Sequence, residues 1–249
     1  MKVNLFYQKI GQGPDLVILH GLFGQSDNWL SIAKMLEKDF TVYLVDQRNH
    51  GRSPHDDIFD YDSMSEDLLS LALPKFSIIG HSMGGKTAMF FAKKYPHLVD
   101  KLVVVDIGTK HYPVHHQEII EALQALEIKK MTSRNDADDQ LKEKISDFGT
   151  RQFLLKNLYR KEDNSFAWRF NLDVIAEQIE NVGQALAGSP SSLSAYFIYG
   201  ERSKYLLKDD RKEIQLHFPK AEFIGIPDAG HWVHAEQPDL LVKHLKAIL

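Results

Sequence analysis

The chain has 249 residues, a formal net charge of −4 and no cysteine. The mild acidic balance supplies no basic face for nucleic acid, and the missing cysteine excludes disulfides, thiolate nucleophiles and cysteine metal sites. Hydrophobic residues at 43% and charged residues at 26% describe a globular chain long enough to bury a full core. The opening "MKVNLFYQKIGQG" lacks the apolar segment and small-residue cleavage site of a secretory signal. No run approaches the roughly 18 apolar residues of a membrane span. A cytoplasmic protein without a membrane span is expected.

The segment "VNLFYQKIG" reads as an antiparallel edge strand. Short β-rich runs bounded by turn residues follow: "LVILHG" (16–21), "TVYLVD" (41–46), "FSIIGHS" (76–82), "KLVVVD" (101–106), "AYFIYG" (195–200) and "EFIGIP" (222–227). They are continuous rather than alternating, as strands covered on both faces should be. Helical patterns lie between them at 28–38, 62–72, 83–95, 204–217 and 236–248. Alternation of this kind predicts an α/β fold with a mostly parallel sheet flanked by helices.

One interval breaks the rhythm. From 108 to 188 the patterns are helical, with no convincing strand: "HHQEIIEALQAL", "DQLKEKISDF", "TRQFLLKNLY" and "LDVIAEQIENV". The expectation is a core made of 1–107 and 189–249, with 108–188 inserted as a helical cap over one end of the sheet. Asp136, Asp138 and Asp139 read as an acidic helix start, since they lack the glycine and terminal glutamate of a calcium loop. "WRFN" (168–171) is a candidate for an acyl-pocket wall or for ordinary cap packing. His111 and His115 are four apart but interrupted by Pro113, and adjacent His115 and His116 do not share a helix face. No catalytic metal and no cofactor are predicted.

The chemistry centres on "IIGHSMGGKTAM" (78–89), which contains Gly80-His81-Ser82-Met83-Gly84. A strand that turns at once into a helix strains the serine and leaves room only for glycine beside it. The hydroxyl is then exposed next to a helix N-terminus whose free N–H groups favour negative charge. Lys86, a cation in that helix's first turn, is locally unfavourable and is read as solvated or paired. "HGLFG" (20–24) follows a strand and can present a backbone N–H to an oxyanion, with Leu22 and Met83 as the two donors. His20 reads as a buried loop anchor rather than a base. His231 in "AGHWVH" follows the last strand and can swing back to the serine; His234 reads as part of the closing helix or as a supporting group. Two carboxylates compete as the acid. Asp106 ends the strand beside the nucleophile strand, and Glu201 follows Gly200. Asp106 is preferred, because a lone aspartate closing a hydrophobic run needs a partner to offset its desolvation. In the loop "DQRNHGRS" (46–53) the polar groups are expected to bond one another under the site, with Arg48 able to pair Asp46.

In its order of parts, Ser82, Asp106 and His231 with the loop 20–24 upstream, the whole chain resembles the α/β-hydrolase superfamily. More narrowly it is similar to the YbfF-type bacterial esterases and related mitochondrial abhydrolase-domain proteins. "HGLFGQSDNW", "VDQRNHGRSP", "GHSMGGKTAM", "VVVDIG", "FLLKNL", "WRFNLDVI" and "AGHWVHAEQPD" carry that resemblance. In the superfamily the acid usually follows the strand at 195–200, and here Ser203, which cannot ionise, stands at that place. The narrower family puts its acid after the strand next to the nucleophile strand, which implies Asp106. The resemblance also implies a serine hydrolase acting on small-molecule esters of small to medium acyl groups, with thioesters as further substrates. Other reactions remain open on the same frame: carbon–carbon bond hydrolysis, a lyase step of the menaquinone pathway, or ligand binding without turnover. A haloalkane or epoxide hydrolase would need aspartate where Ser82 stands.

Overall fold

The computed structural model describes residues 2–249. Nine strands occur among them: β1 (Tyr7–Gly11), β2 (Asp15–Leu19), β3 (Thr41–Val45), β4 (Phe76–His81), β5 (Val99–Val105), β6 (Leu158–Arg160), β7 (Phe166–Trp168), β8 (Ala195–Gly200) and β9 (Glu222–Ile226). Seven form one sheet in the order β1-β3-β2-β4-β5-β8-β9. Only β1 runs antiparallel, on the edge; the other neighbours are parallel. The six β-rich runs expected from 16 to 227 are present within two residues of their expected bounds, and the edge strand expected over 3–11 is shorter, starting at Tyr7. No helix is long and apolar enough among the described residues to cross a membrane.

The continuous apolar runs follow from burial on both faces. Along β2, Val17 and Leu19 enter one core layer while Leu16 and Ile18 enter the other. Along β5, Leu102 and Val104 face the first layer and Val103 and Val105 the second. A strand with both faces dry has no position for a polar residue.

Between β5 and β8 the chain leaves the sheet and builds a third apolar cluster from the helices Gln117–Gln124, Arg134–Lys142, Phe148–Leu155 and Leu172–Glu177. Ser133 caps the second of these, with Asp136 bonding back in a capping box, so the acidic run is indeed a helix start. This segment also contains a strand pair that the sequence reading lacks. Leu158–Arg160 pairs antiparallel with Phe166–Trp168. The helical pattern of "TRQFLLKNLY" stops at Leu155. Asn157 then turns its amide to the Phe23 carbonyl at 2.7 Å. The hairpin closes through Asn164 at φ 66° and the Asp163–Ser165 bonds. Strands of three residues are too short to show a period of two.

The roots of the inserted segment are fastened by Lys86. It is fully buried and not solvated, contrary to one half of its sequence reading. Its Nζ donates to the carbonyls of Thr109 (3.2 Å), Lys110 (2.6 Å) and Gln184 (2.8 Å), on both the outgoing and the returning strand of chain. Burial pushes its pKa down to about 7, against the pull of three carbonyl acceptors.

Loops at the carboxyl ends of β2 and β3 are locked together. Gln47 N donates to His20 Nε2 at 3.1 Å, and His20 Nδ1 lies 2.8 Å from the Gly21 carbonyl. Phe23 N donates to His50 Nε2 at 3.1 Å, and His50 Nδ1 is 3.0 Å from the Arg48 carbonyl. In both rings Nε2 accepts, so both must be neutral with the proton on Nδ1. Burial agrees, pushing His20 down to about 4 and His50 to about 3. His20 is therefore a loop anchor, as expected. Arg48 does not pair Asp46. Its guanidinium grips Asp67 with two bonds (2.6 and 2.9 Å) and reaches Asp56, while Asp46 accepts backbone N–H groups of Ser26 and Arg52.

Two outcomes are expected. Lys86→Met leaves three carbonyls without their donor and lowers unfolding free energy by about 1–3 kcal/mol; urea denaturation reads the loss, and faster limited proteolysis within 108–188 locates it. For the histidines, the unfolded imidazole takes a proton below about pH 6.5 while folded His20 and His50 stay neutral down to about 4 and 3. Their stabilisation is complete above pH 6.5 and is lost as pH falls toward those values, at about 1.4 kcal/mol per unit for each ring. The urea midpoint should drop between pH 7 and pH 5, a window above most carboxylate titration. A flat midpoint there would contradict the neutral assignment.

Candidate active site

The register of three strands brings the candidate residues together. His81 of β4 is level with Val105 of β5, and Val105 with Ile198 of β8. One residue further on, Ser82 N bonds Val105 O at 3.0 Å and Asp106 N bonds Ile198 O at 2.8 Å. Ser82 and Asp106 thus stand beside each other at the carboxyl edge of the sheet. The chain order reverses between β2 and β4, and such a switch point opens a crevice above the strand ends.

Ser82 has φ 53° and ψ −120° and begins the helix Met83–Lys94. That positive φ is strained for a residue with a Cβ. The neighbouring glycines make the turn possible. A Cβ on Gly80 would lie 2.2 Å from the Gly84 carbonyl oxygen, and one on Gly84 would lie 2.5 Å from the His20 carbonyl oxygen. The loop after β2 also packs against the serine, since a Cβ on Gly21 would come within 3.3 Å of Ser82 Cβ. Leu22 and Met83 directly follow Gly21 and Ser82, the two residues that make this approach.

Asp106 is wholly buried and also carries a positive φ, 54°. Its Oδ2 is 2.7 Å from His231 Nδ1, and its Oδ1 accepts Gly200 N–H at 3.1 Å. Ser203 Oγ donates to the same Oδ2 at 2.5 Å. The residue at the usual acid position thus feeds a hydrogen bond to the carboxylate that replaces it. Glu201 is exposed and sits over the edge strand, beside Gly225; it is not part of this cluster.

Two further contacts hold His231. Tyr205 stacks on its ring with centroids 3.9 Å apart and planes 19° apart. His81 Nε2 donates to its carbonyl at 2.9 Å. Asp106 fixes Nδ1, which leaves Nε2 for the crevice. Ser82 and His231 share the wall of one cavity of about 170 Å³, along with Leu22, Trp29, Phe153 and Trp232. His234 is a supporting group: it is buried, lies flat on Trp29 at 4.3 Å, and is pushed down to about 3 by desolvation. Trp168 and Phe170 stack on each other and Phe170 meets Phe23 edge-on, so "WRFN" packs the inserted segment against the loop after β2 and does not line the cavity at Ser82. Among the described residues no group of three or more His, Cys, Asp or Glu is arranged to hold a metal ion.

Sequence reasoning did not find the donation from Ser203 or the stacking of Tyr205. A serine three residues and a tyrosine five residues past a strand end carry no signal of their own; both roles depend on how the 201–205 turn folds back over Asp106.

Comparison with known proteins agrees with this geometry. Residues 14–238 match the family described as the alpha/beta hydrolase fold. The chain is 40% identical to the sn-1-specific diacylglycerol lipase ABHD11 of Danio rerio, over 95% of this chain and 79% of that one. It is 35% identical to Esterase YbfF of Escherichia coli, over 100% of this chain and 99% of that one. A solved structure of a marine microorganism esterase superposes with a TM-score of 0.97 at 43% identity, covering both chains fully. The chain belongs to the α/β-hydrolase family, in its esterase and lipase branch.

Proposed function

We propose that the chain is a serine carboxylesterase that works through Ser82, Asp106 and His231 and an acyl-enzyme. The observation that carries the reading is the 2.7 Å bond from His231 Nδ1 to the buried Asp106, with Ser82 in the wall of the same cavity. That bond fixes one tautomer and turns Nε2 toward the serine. His231 takes the Ser82 proton as Oγ attacks the ester carbonyl, and Asp106 stabilises the imidazolium. The N–H groups of Leu22 and Met83 hold the oxyanion; one such donor is typically worth on the order of 3 kcal/mol. His231 then protonates the leaving alcohol, and water attacks the acyl-enzyme with His231 again as base. The segment 108–188 acts as the cap that covers this site.

Small-molecule esters are the substrates, and acyl thioesters share the same carbonyl chemistry. The residues lining the cavity include no arginine among those described, which argues against a lyase or hydrolase built around a dicarboxylate. A cytoplasmic setting belongs to the same proposal and fits a chain without cysteine.

The decisive measurement is steady-state hydrolysis of p-nitrophenyl acetate, together with fluorophosphonate labelling. Ser82→Ala should abolish both turnover and labelling. Asp106→Asn should lower kcat by roughly 10⁴-fold, as loss of the tautomer-fixing carboxylate does in serine hydrolases, while Glu201→Gln leaves it unchanged. Retained turnover in Asp106→Asn with loss in Glu201→Gln would reverse the assignment of the acid. Ser203→Ala removes one hydrogen bond to an ionised carboxylate, worth about 1.5–3 kcal/mol, and should slow kcat by roughly 10- to 100-fold with KM little changed.

A further inference from the structure

Two hollows meet at Ser82. The larger is the 170 Å³ cavity that includes His231 and Leu22. The second has room for only about 20 Å³ and is bounded by Met83, Ile107, Tyr112, Ile179 and Val182, with Lys86 also in its wall. Ser82, His115, His116 and Tyr205 border both and form the divide.

We propose that the small hollow receives the acyl group and the large one the alcohol, so that the protein selects esters of short, apolar acids with bulky alcohols. This deepens the esterase reading and rests on it. The tetrahedral carbon carries four groups. One is Ser82 Oγ, whose new bond to carbon forms as its proton passes to His231 Nε2. A second is the oxyanion, between the N–H groups of Leu22 and Met83. The third is the leaving oxygen, which must lie beside His231 to receive that proton as its bond to carbon breaks. The alcohol therefore extends into the hollow that has His231 in its wall. The fourth substituent is the acyl carbon, and the remaining hollow touches Ser82 and Met83 but not His231.

Size and chemistry of the small hollow then set the class of acid. A space of 20 Å³ holds about one water-sized group, enough for the methyl of an acetyl and at its limit with a propionyl. The lysine in its wall offers no free donor, because the three Lys86 N–H groups are spent on the carbonyls of Thr109, Lys110 and Gln184. Its walls at Ile107–Val114 and Ile179–Gly183 are the two roots of the inserted segment, held at fixed separation by that same lysine. The large hollow is aromatic, with Trp29, Phe153 and Trp232, and suits a bulky apolar alcohol.

The test is kcat/KM over p-nitrophenyl acetate, propionate, butyrate, hexanoate and octanoate, and over phenyl and naphthyl acetates. The wild type should prefer acetate or propionate, with rates falling roughly tenfold for each methylene the hollow cannot hold. Val182→Ala should move the optimum toward butyrate or hexanoate, and Val182→Phe should confine turnover to acetate. These opposite shifts separate a change in hollow size from damage to the fold. Phe153→Ala should leave the acyl profile in place and change the naphthyl-to-phenyl ratio. A wild-type optimum at octanoate overturns the inference. So does an acyl profile that responds to Phe153→Ala and ignores both Val182 variants. A folded wild type that turns over none of these esters overturns the esterase reading, and the inference with it.

Discussion

Everything at the candidate site depends on one register: His81 level with Val105, and Val105 level with Ile198, across three parallel strands. The ladder continues one step past each strand, through Ser82 N to Val105 O and Asp106 N to Ile198 O. Backbone hydrogen bonds of the sheet, among the most cooperative contacts in the molecule, therefore set the spacing between the serine and the carboxylate. A slip of one residue would turn every buried side chain to the wrong layer. The packing of two core layers and the position of the chemistry are thus enforced by the same constraint.

Both residues at that edge are held at positive φ, Ser82 at 53° and Asp106 at 54°. Strained positions of this kind persist only where the surroundings over-determine them. For Ser82 the surroundings are Gly80, Gly84 and the loop at Gly21, all in near contact. For Asp106 they are the three donors that converge on its carboxylate. The loop at Gly21 is in turn braced by His20 and His50, which can serve only while neutral, and by Asn157 reaching across from the inserted segment to Phe23. The rigidity of the loop at Gly21 is therefore shared between core and insertion.

Much of this was legible in the sequence, for physical reasons. The sheet strands stood out because a strand dry on both faces has to be an unbroken apolar run. Ser82 stood out because a strained turn demands glycine at fixed spacing, and Asp106 because an aspartate at the end of such a run needs partners. The hairpin Leu158–Trp168 was hidden by its brevity, since three residues show no period. Lys86 was read as solvated or paired without a choice between the two, because local helix electrostatics say nothing about three carbonyls 23 to 98 positions away. Arg48 was expected at Asp46, two residues back, and instead holds Asp67: proximity in sequence is a poor guide where a loop folds over a helix. Ser203 was seen only as a missing carboxylate, because a hydroxyl's partner is decided by the fold of its turn.

The bond from Ser203 to Asp106 bears on how such sites can change over time. Asp106 at the end of β5 and Ser203 just past β8 meet at one carboxylate oxygen, the same one that His231 Nδ1 bonds. Either strand end can supply the negative charge, provided the other supplies a group that tolerates it. On the proposed roles, the location of the acid is therefore exchangeable within this architecture, whereas the locations of the nucleophile and the base are not. A lineage can move the carboxylate from one strand to the other through intermediates in which both ends are polar, without repositioning either of its reacting partners.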